Sequence, residues 1–216
     1  MALFRVRPTH ADVKIAEAVS NDTSPEVEQA AGILTWGADE HLACALAGGW
    51  WLYCRGGSAR ERRNSDHILL TTAAVTLLPH VLKMIFDQER PDRLTVLCHL
   101  HGVPVSGKAL DAFPSGHAIH VGALASAASV LPPAKRNLVW SVGAGLVLTR
   151  IVLLAHWTSD VIAGLAIGAA VERLLRPWTG FGSPVTARSK AAYRRDHAAR
   201  RSPPQEIRAT PPLQRP

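Results

Sequence analysis

Apolar residues arrive in blocks in this chain, and that distribution constrains its fold more than any single motif. The blocks run roughly over 33–54, 67–86, 115–131, 138–155 and 160–175, separated by short charged links that contain Pro and Gly. A helix that crosses a membrane needs about 20 predominantly apolar residues. The second and fourth blocks approach that length, and the third and fifth are nearer 15 without their flanks. The first block carries Asp39, Glu40 and His41, so its strongly apolar part is Leu42 to Tyr53. Gly and Ala are frequent in the last three blocks, which suits close helix–helix packing in lipid. The expected fold is all-α: a multi-span transmembrane helical bundle of about five membrane helices, plus an N-terminal amphipathic helix.

Loop charge gives the expected orientation. The links "CRGGSARERRN" and "PPAKRN", and the "ERLLRP" stretch with the Arg-rich tail, fall on one side if the blocks cross in alternation. The links over 87–113 and 155–160 carry mixed charge and fall on the other side. The positive-inside rule then predicts a multi-pass protein of the cell inner membrane, with the mixed links extracytoplasmic. Five spans put the N-terminus outside as well. Residues 1–30 form a polar segment in which "ADVKIAEAV" has weak helical periodicity, suited to a membrane surface or to packing on the domain. Residues 31–176 form the helical domain. Residues 177–216, rich in Pro, Arg and Ala, read as a disordered basic tail.

The net charge of +7 raises nucleic-acid binding, but the basic residues gather at block ends and in the tail. They form no stripe interleaved with aromatics, so no nucleic-acid partner is expected. Cys44, Cys54 and Cys98 cannot all pair within one chain, and none lies in a CxxC. They read as plain thiols. The N-terminus lacks the apolar core and small-residue site of a cleaved signal peptide. The six Trp residues mostly lie near block ends, as interfacial anchors do. Glu172 and Arg173 read as a boundary pair, and Asp39 and Glu40 as a helix start or as groups facing a site.

Three stretches carry candidate chemistry, and all fall at the mixed-charge links. In "KMIFDQERP", Lys83 and Arg90 are seven residues apart, two helical turns, so one helix face would carry both cations before Pro91 ends the helix. Two cations there can clamp an anion; a snorkelling pair at a membrane boundary is the plain alternative. In "FPSGHAIH", Pro114 suits a first helical turn, and Ser115 and Gly116 would offer N–H groups at a helix N-terminus. His117 lies beside them, placed to give or take a proton. In "TRIVLLAHWTSD", Arg150 stands near the end of an apolar block, where charge is costly. His156 and Asp160 are four apart, so the Asp can accept from one imidazole nitrogen and leave the other free to attack. Three cations, a helix N-terminus, two histidines and a carboxylate at one membrane face form a set for attacking phosphate without a metal.

The pattern K-x6-RP, PSGH and R-x5-H-x3-D, over Lys83 to Asp160, resembles the signature of the type 2 phosphatidic acid phosphatase superfamily. That superfamily also holds bacterial acid phosphatases and vanadium-dependent haloperoxidases. Two departures are visible: Thr149-Arg150 where the third motif commonly begins Ser-Arg, and five good spans where membrane members often have six. The resemblance implies a metal-independent phosphatase without a cofactor. His156 would be the nucleophile that forms a phosphohistidine, and Asp160 would orient it. His117 would be the acid and then the base. Lys83, Arg90, Arg150, Ser115 and the Gly116 amide would hold the phosphate oxygens. A site at a membrane face favours a lipid phosphate as substrate, of the phosphatidate, phosphatidylglycerol phosphate or polyprenyl diphosphate type.

Four other readings stay open at this level. One is a vanadate-dependent haloperoxidase with His156 as ligand, and another a soluble acid phosphatase. A third is a zinc site made from His99, His101, His117 and His120, although Lys and Arg nearby would repel a cation. The fourth is a lipid-phosphate binding or transport protein that keeps the cage without the chemistry. Nothing in the sequence fixes the oligomeric state.

Overall fold

The computed structural model describes residues 3–91 and 108–182. Within them helices predominate, with one small strand pair and irregular links. β1 (Phe4–Arg5) runs parallel to β2 (Phe86–Asp87), with Leu3 N–H donating to Ile85 O and Val6 N–H to Asp87 O, both at 2.9 Å. The helices are α1 (His10–Asp22), α2 (Pro25–Leu34), α3 (Glu40–Tyr53), α4 (Ala59–Ile85), α5 (Gly116–Ala127), α6 (Pro133–Val152) and α7 (Thr158–Thr179). Helices α3 to α7 coincide with the five apolar blocks. By length and composition one of them, α4, qualifies as a membrane span, so helix length alone does not establish five spans.

Local chemistry sets most boundaries. Thr9 and Asp12 form a capping box at α1, and Ser58 and Glu61 form one at α4. Asp39 caps α3, its Oδ1 accepting from the N–H groups of His41 and Leu42. Pro25 and Pro133 stand in the first turns of α2 and α6. Gly180, with φ of 65°, ends α7 in the left-handed conformation that glycine adopts without steric cost.

The N-terminal segment holds two helices where the sequence predicts one, and it packs on the domain. Ala16 of α1 joins a buried cluster with Ala112, Leu154 and Trp157. Asp12, also buried, accepts from Ser159 through both N–H and Oγ at 2.8 Å, and from Thr9. Burial alone would raise the Asp12 pKa, but these hydrogen bonds outweigh it and hold the carboxyl below its ordinary value. Polar contacts therefore fasten α1 to the start of α7.

Helices α5 and α7 approach most closely through glycine. A methyl group at Gly168 would overlap the Ile119 carbonyl oxygen, and one at Gly122 would overlap that of Leu165. Val75, Ile119 and Ala123 then join α4 to this pair, while Ala118, Val147 and Val161 join α6.

The far end of the same bundle corrects one expectation. Glu172 is fully buried and makes no boundary pair with Arg173. It accepts from Ser126 Oγ and Arg176 Nε, both at 2.6 Å, and lies 3.1 Å from His67 Nε2. These bonds staple α4, α5 and α7, because a buried carboxylate needs several donors. The thiols of Cys44 and Cys54 are free. Cys98, His99 and His101, and the tail beyond residue 182, lie outside the described residues.

The glycine crossing yields a direct expectation. Gly168→Ala should destabilise the fold by about 1–3 kcal/mol or more, because rigid backbone must move to admit a methyl group. Gly145→Ala, whose methyl would meet open space, should be neutral or slightly stabilising. Thermal melting of both variants in detergent checks the contrast.

Candidate active site

A cavity of about 630 Å³ opens where α4 and α6 end and α5 begins. Six of the eight residues singled out from sequence line it: Lys83, Arg90, Gly116, His117, Arg150 and His156. The other two, Ser115 and Asp160, lie behind its wall and are fully buried. Asp39, Glu40, His80, Asp87 and Lys108 form other parts of the lining.

Lys83 and Arg90 reach the cavity differently from the sequence expectation. Helix α4 stops at Ile85, because Phe86 and Asp87 turn extended to pair with β1. Arg90 therefore stands on an irregular segment and shares no helix face with Lys83. Its guanidinium donates through Nη1 to Ala155 O at 2.7 Å and through Nε to Lys108 O at 3.0 Å. Nε and Nη2 both reach Asp111 Oδ1, at 3.0 and 2.8 Å. The other Asp111 oxygen lies 3.6 Å from Lys83 Nζ. Burial works to raise the Asp111 pKa, but the charges of Arg90 and Lys83 hold it below the ordinary carboxylate value.

The helix N-terminus of the second motif is present, but it begins at Gly116, so Pro114 lies outside its first turn. Ser115 is the cap of α5 and Pro114 precedes it. The Ser115 N–H donates to the Asp160 backbone carbonyl, and its Oγ accepts from Ala118 N–H. The turn first meets the cavity at Gly116 and His117. His120 also lines the cavity, but both its nitrogens are engaged, with Gly116 O at 2.9 Å and Thr76 Oγ1 at 3.0 Å. Among the described residues no His, Cys, Asp and Glu cluster has the form of a metal site.

The third motif is set by a tight turn after α6. Ala155 N–H and His156 N–H both return to Arg150 O, and Leu154 takes a φ of 49°. A branched residue holds that left-handed conformation only under tertiary constraint, and Leu154 is anchored in the core with Trp157. The turn directs both Arg150 and His156 to the cavity. Arg150 Nη1 donates to Thr35 Oγ1 at 2.9 Å.

His156 Nδ1 lies 2.6 Å from the Ala112 carbonyl oxygen. A carbonyl only accepts, so Nδ1 carries the proton and Nε2 keeps its lone pair. Asp160 Oδ2 is 3.9 Å from Nδ1, beyond a hydrogen bond, and accepts instead from Trp157 N–H at 3.0 Å. The sequence expectation of a direct His156–Asp160 bond is thus replaced by a carbonyl partner with the carboxylate close by. Burial, then the charges of Arg90, Arg150 and Lys83, push the imidazole pKa well below its ordinary value. The imidazole is therefore neutral, its Nε2 lone pair is free, and Arg90, Arg150 and Lys83 are close enough to depress its protonation.

Sequence reasoning missed Asp111 and Gln88. Asp111 stands four residues before Ser115, but nothing in its local spacing ties it to positions 83 and 90. Gln88, fully buried, meets Asp160.

A cavity lined by Lys83, Arg90 and Arg150, with a helix N-terminus and a neutral histidine beside it, suits an anion. Residues 67–182 match the family model of the PAP2 superfamily, and this chain belongs to that superfamily. It is 38% identical over 104 residues to a lipid A 1-phosphatase of Rhizobium johnstonii, a stretch covering 48% of this chain and 43% of the relative. A lipid A 1-phosphatase of Rhizobium etli is 39% identical over 102 residues, covering 46% and 44%. The match thus spans less than half the length of these curated relatives. The fold is similar to that of Aquifex aeolicus LpxE, with a TM-score of 0.59, 17% identity, and coverage of 77% of this chain and 94% of that one. It is also similar to a transmembrane PAP2-type phosphatidylglycerolphosphate phosphatase from Bacillus subtilis, with a TM-score of 0.58, 20% identity, and coverage of 78% and 84%.

The titrations have a stability consequence. The folded His156 binds its proton less readily than the unfolded one, so its contribution is lost as pH falls through about 6.5, the unfolded value. Asp111 is depressed too, so its contribution is present above the unfolded value near 3.8 and lost as pH falls further. Melting temperature should therefore fall on acidification in two ranges. His156→Gln should lessen the first fall and leave the second.

Proposed function

We propose that the chain is a metal-independent phosphatase that hydrolyses a lipid phosphate through a phosphohistidine on His156. The observation that carries this reading is the cavity shared by Lys83, Arg90, Arg150, Gly116, His117 and His156. Nε2 of His156 attacks phosphorus in line, and the bond from phosphorus to the lipid oxygen breaks. His117 gives a proton to that oxygen, then takes one from the water that attacks the phosphohistidine and frees inorganic phosphate. Lys83, Arg90, Arg150 and the Gly116 N–H hold the equatorial oxygens, with Ser115 fixing the helix start behind them. Asp160, 3.9 Å from Nδ1, balances the positive charge that forms on the imidazole.

A membrane setting is part of the proposal, with α3 to α7 as spans and the site at the extracytoplasmic end. Large apolar side chains on the outer faces support it, among them Leu46 on α3, Leu77 on α4 and Leu148 on α6. Basic residues at the opposite end, including Arg62, Arg136 and Arg176, follow the positive-inside rule. The two lipid A 1-phosphatase relatives support a substrate of the lipid A kind, added here to the glycerolipid and polyprenyl phosphates that the sequence motifs left open.

In detergent with EDTA, the protein should release phosphate from a panel of these lipid phosphates. His156→Ala should lower the rate by ~10²-fold or more. Release by the variant at the wild-type rate would overturn the nucleophile assignment, and loss of release with EDTA would overturn metal independence. His117→Ala should impair an alkyl phosphate far more than p-nitrophenyl phosphate, whose leaving group needs no acid. Equal impairment of both in the first turnover, before water attacks the phosphohistidine, would remove His117 from the acid role.

A further inference from the structure

Behind the cavity wall is a buried residue, Gln88, to which the phosphatase mechanism gives no role. Gln88 follows β2, is fully buried and does not line the cavity. Its backbone N–H donates to Leu110 O, and its carbonyl accepts from Ala112 N–H, both at 3.1 Å. It therefore pins the short segment that ends in the Ala112 carbonyl, the acceptor for His156 Nδ1. Its side chain meets the Asp160 carboxylate. A carboxylate only accepts, so the amide nitrogen must face it, placing Nε2 at 2.6 Å from Oδ1 and 3.2 Å from Oδ2.

We propose that Gln88 is a positioning residue for phosphoryl transfer: one side chain orients the Asp160 carboxylate, and the same residue's backbone holds the acceptor that sets the His156 tautomer. This rests on the phosphatase reading. Two parts otherwise separate in the chain must act together on one imidazole. The Ala112 carbonyl fixes which nitrogen is protonated, and the Asp160 charge stands close without a direct bond. Gln88 touches both parts. Its amide is a neutral donor, so it aligns the carboxylate without cancelling its charge. An arginine there would form an ion pair and spend that charge before the imidazole became cationic. An apolar residue of similar volume would leave buried carboxylate oxygens short of a donor, which is costly.

The titratable and charged groups around this contact are Asp160 on α7, Asp12 on α1, Arg90 after β2 and His156 on the turn after α6. A glutamate at position 88 keeps the shape and makes the donor conditional. Protonated, its O–H donates to Asp160; ionised, two buried carboxylates face each other and repel.

Wild type, Gln88→Leu and Gln88→Glu are compared in detergent by phosphate release and by thermal melting across pH. Gln88→Leu should lower kcat by on the order of 10- to 100-fold and leave KM near wild type, because the residue acts on the nucleophile and not on the bound phosphate. For Gln88→Glu, the ratio of its kcat to that of wild type should rise as pH falls, and so should its melting temperature relative to wild type. Unchanged kcat in folded Gln88→Leu would overturn the proposal, as would a rise in KM alone. If Gln88→Leu does not fold, Gln88→Glu decides: ratios flat with pH in both activity and melting overturn it. If melting responds to pH but relative kcat does not, the contact is structural and the catalytic role is lost. Absence of phosphate release by wild type itself would sink the phosphatase reading and this inference with it, an outcome recognised before any variant is compared.

Discussion

A buried guanidinium must be matched donor by donor, and the way Arg90 is matched organises this molecule. Its partners are the Lys108 and Ala155 carbonyls and the Asp111 carboxylate. They come from the segment before α5 and from the turn between α6 and α7. One side chain thus draws together the approaches to the two helix starts that carry His117 and Asp160. Asp111 also answers an electrostatic problem: Lys83 and Arg90 would repel each other in a cavity without a negative group between them. An anion entering the cavity would meet cations already gathered and would compete with that carboxylate.

The other half of the design is rigidity. Glycines let the backbones of α5 and α7 approach within the space a methyl would occupy. At the far end, Glu172 gathers Ser126, Arg176 and His67 from three helices. The pair is therefore closed by packing along its length and by polar bonds at one end. At the other end, Asp12 fastens α1 to Ser159, one residue before Asp160. The strained turn at Leu154 persists because Leu154 packs with Ala16, Ala112 and Trp157 and the helix that follows is held in this way.

Much of this was legible in the sequence, for identifiable reasons. The five apolar blocks marked α3 to α7 because apolar runs bounded by charge, Pro and Gly are local signals. Lys83, Arg90, Gly116, His117, Arg150 and His156 came out as a set because three short motifs carried them, and the fold brings all six to one cavity. The errors arose where a tertiary contact overrode a local rule. Helical spacing joined Lys83 to Arg90, but pairing of Phe86 with Phe4 ended the helix first. An i to i+4 spacing joined His156 to Asp160, but the Ala112 carbonyl, 44 residues away in sequence, accepts the imidazole N–H. Glu172 beside Arg173 suggested a surface pair, whereas its partners come from α4, α5 and the next turn of its own helix. Backbone acceptors leave no mark in a list of side chains, which is why Ala112 could not be read there.

The parallel pairing of Phe4–Arg5 with Phe86–Asp87 makes the start of the chain a mechanical neighbour of the site. The strand it holds is followed at once by Gln88 and then by Arg90. A load applied to the first residues, by a fused tag, a docked partner or a shift of the surface they rest on, would be borne in series by β1, β2 and the segment that carries both residues. The geometry of the cavity is in that sense coupled to this strand pair, and a tether placed on β1 would act as a handle on it.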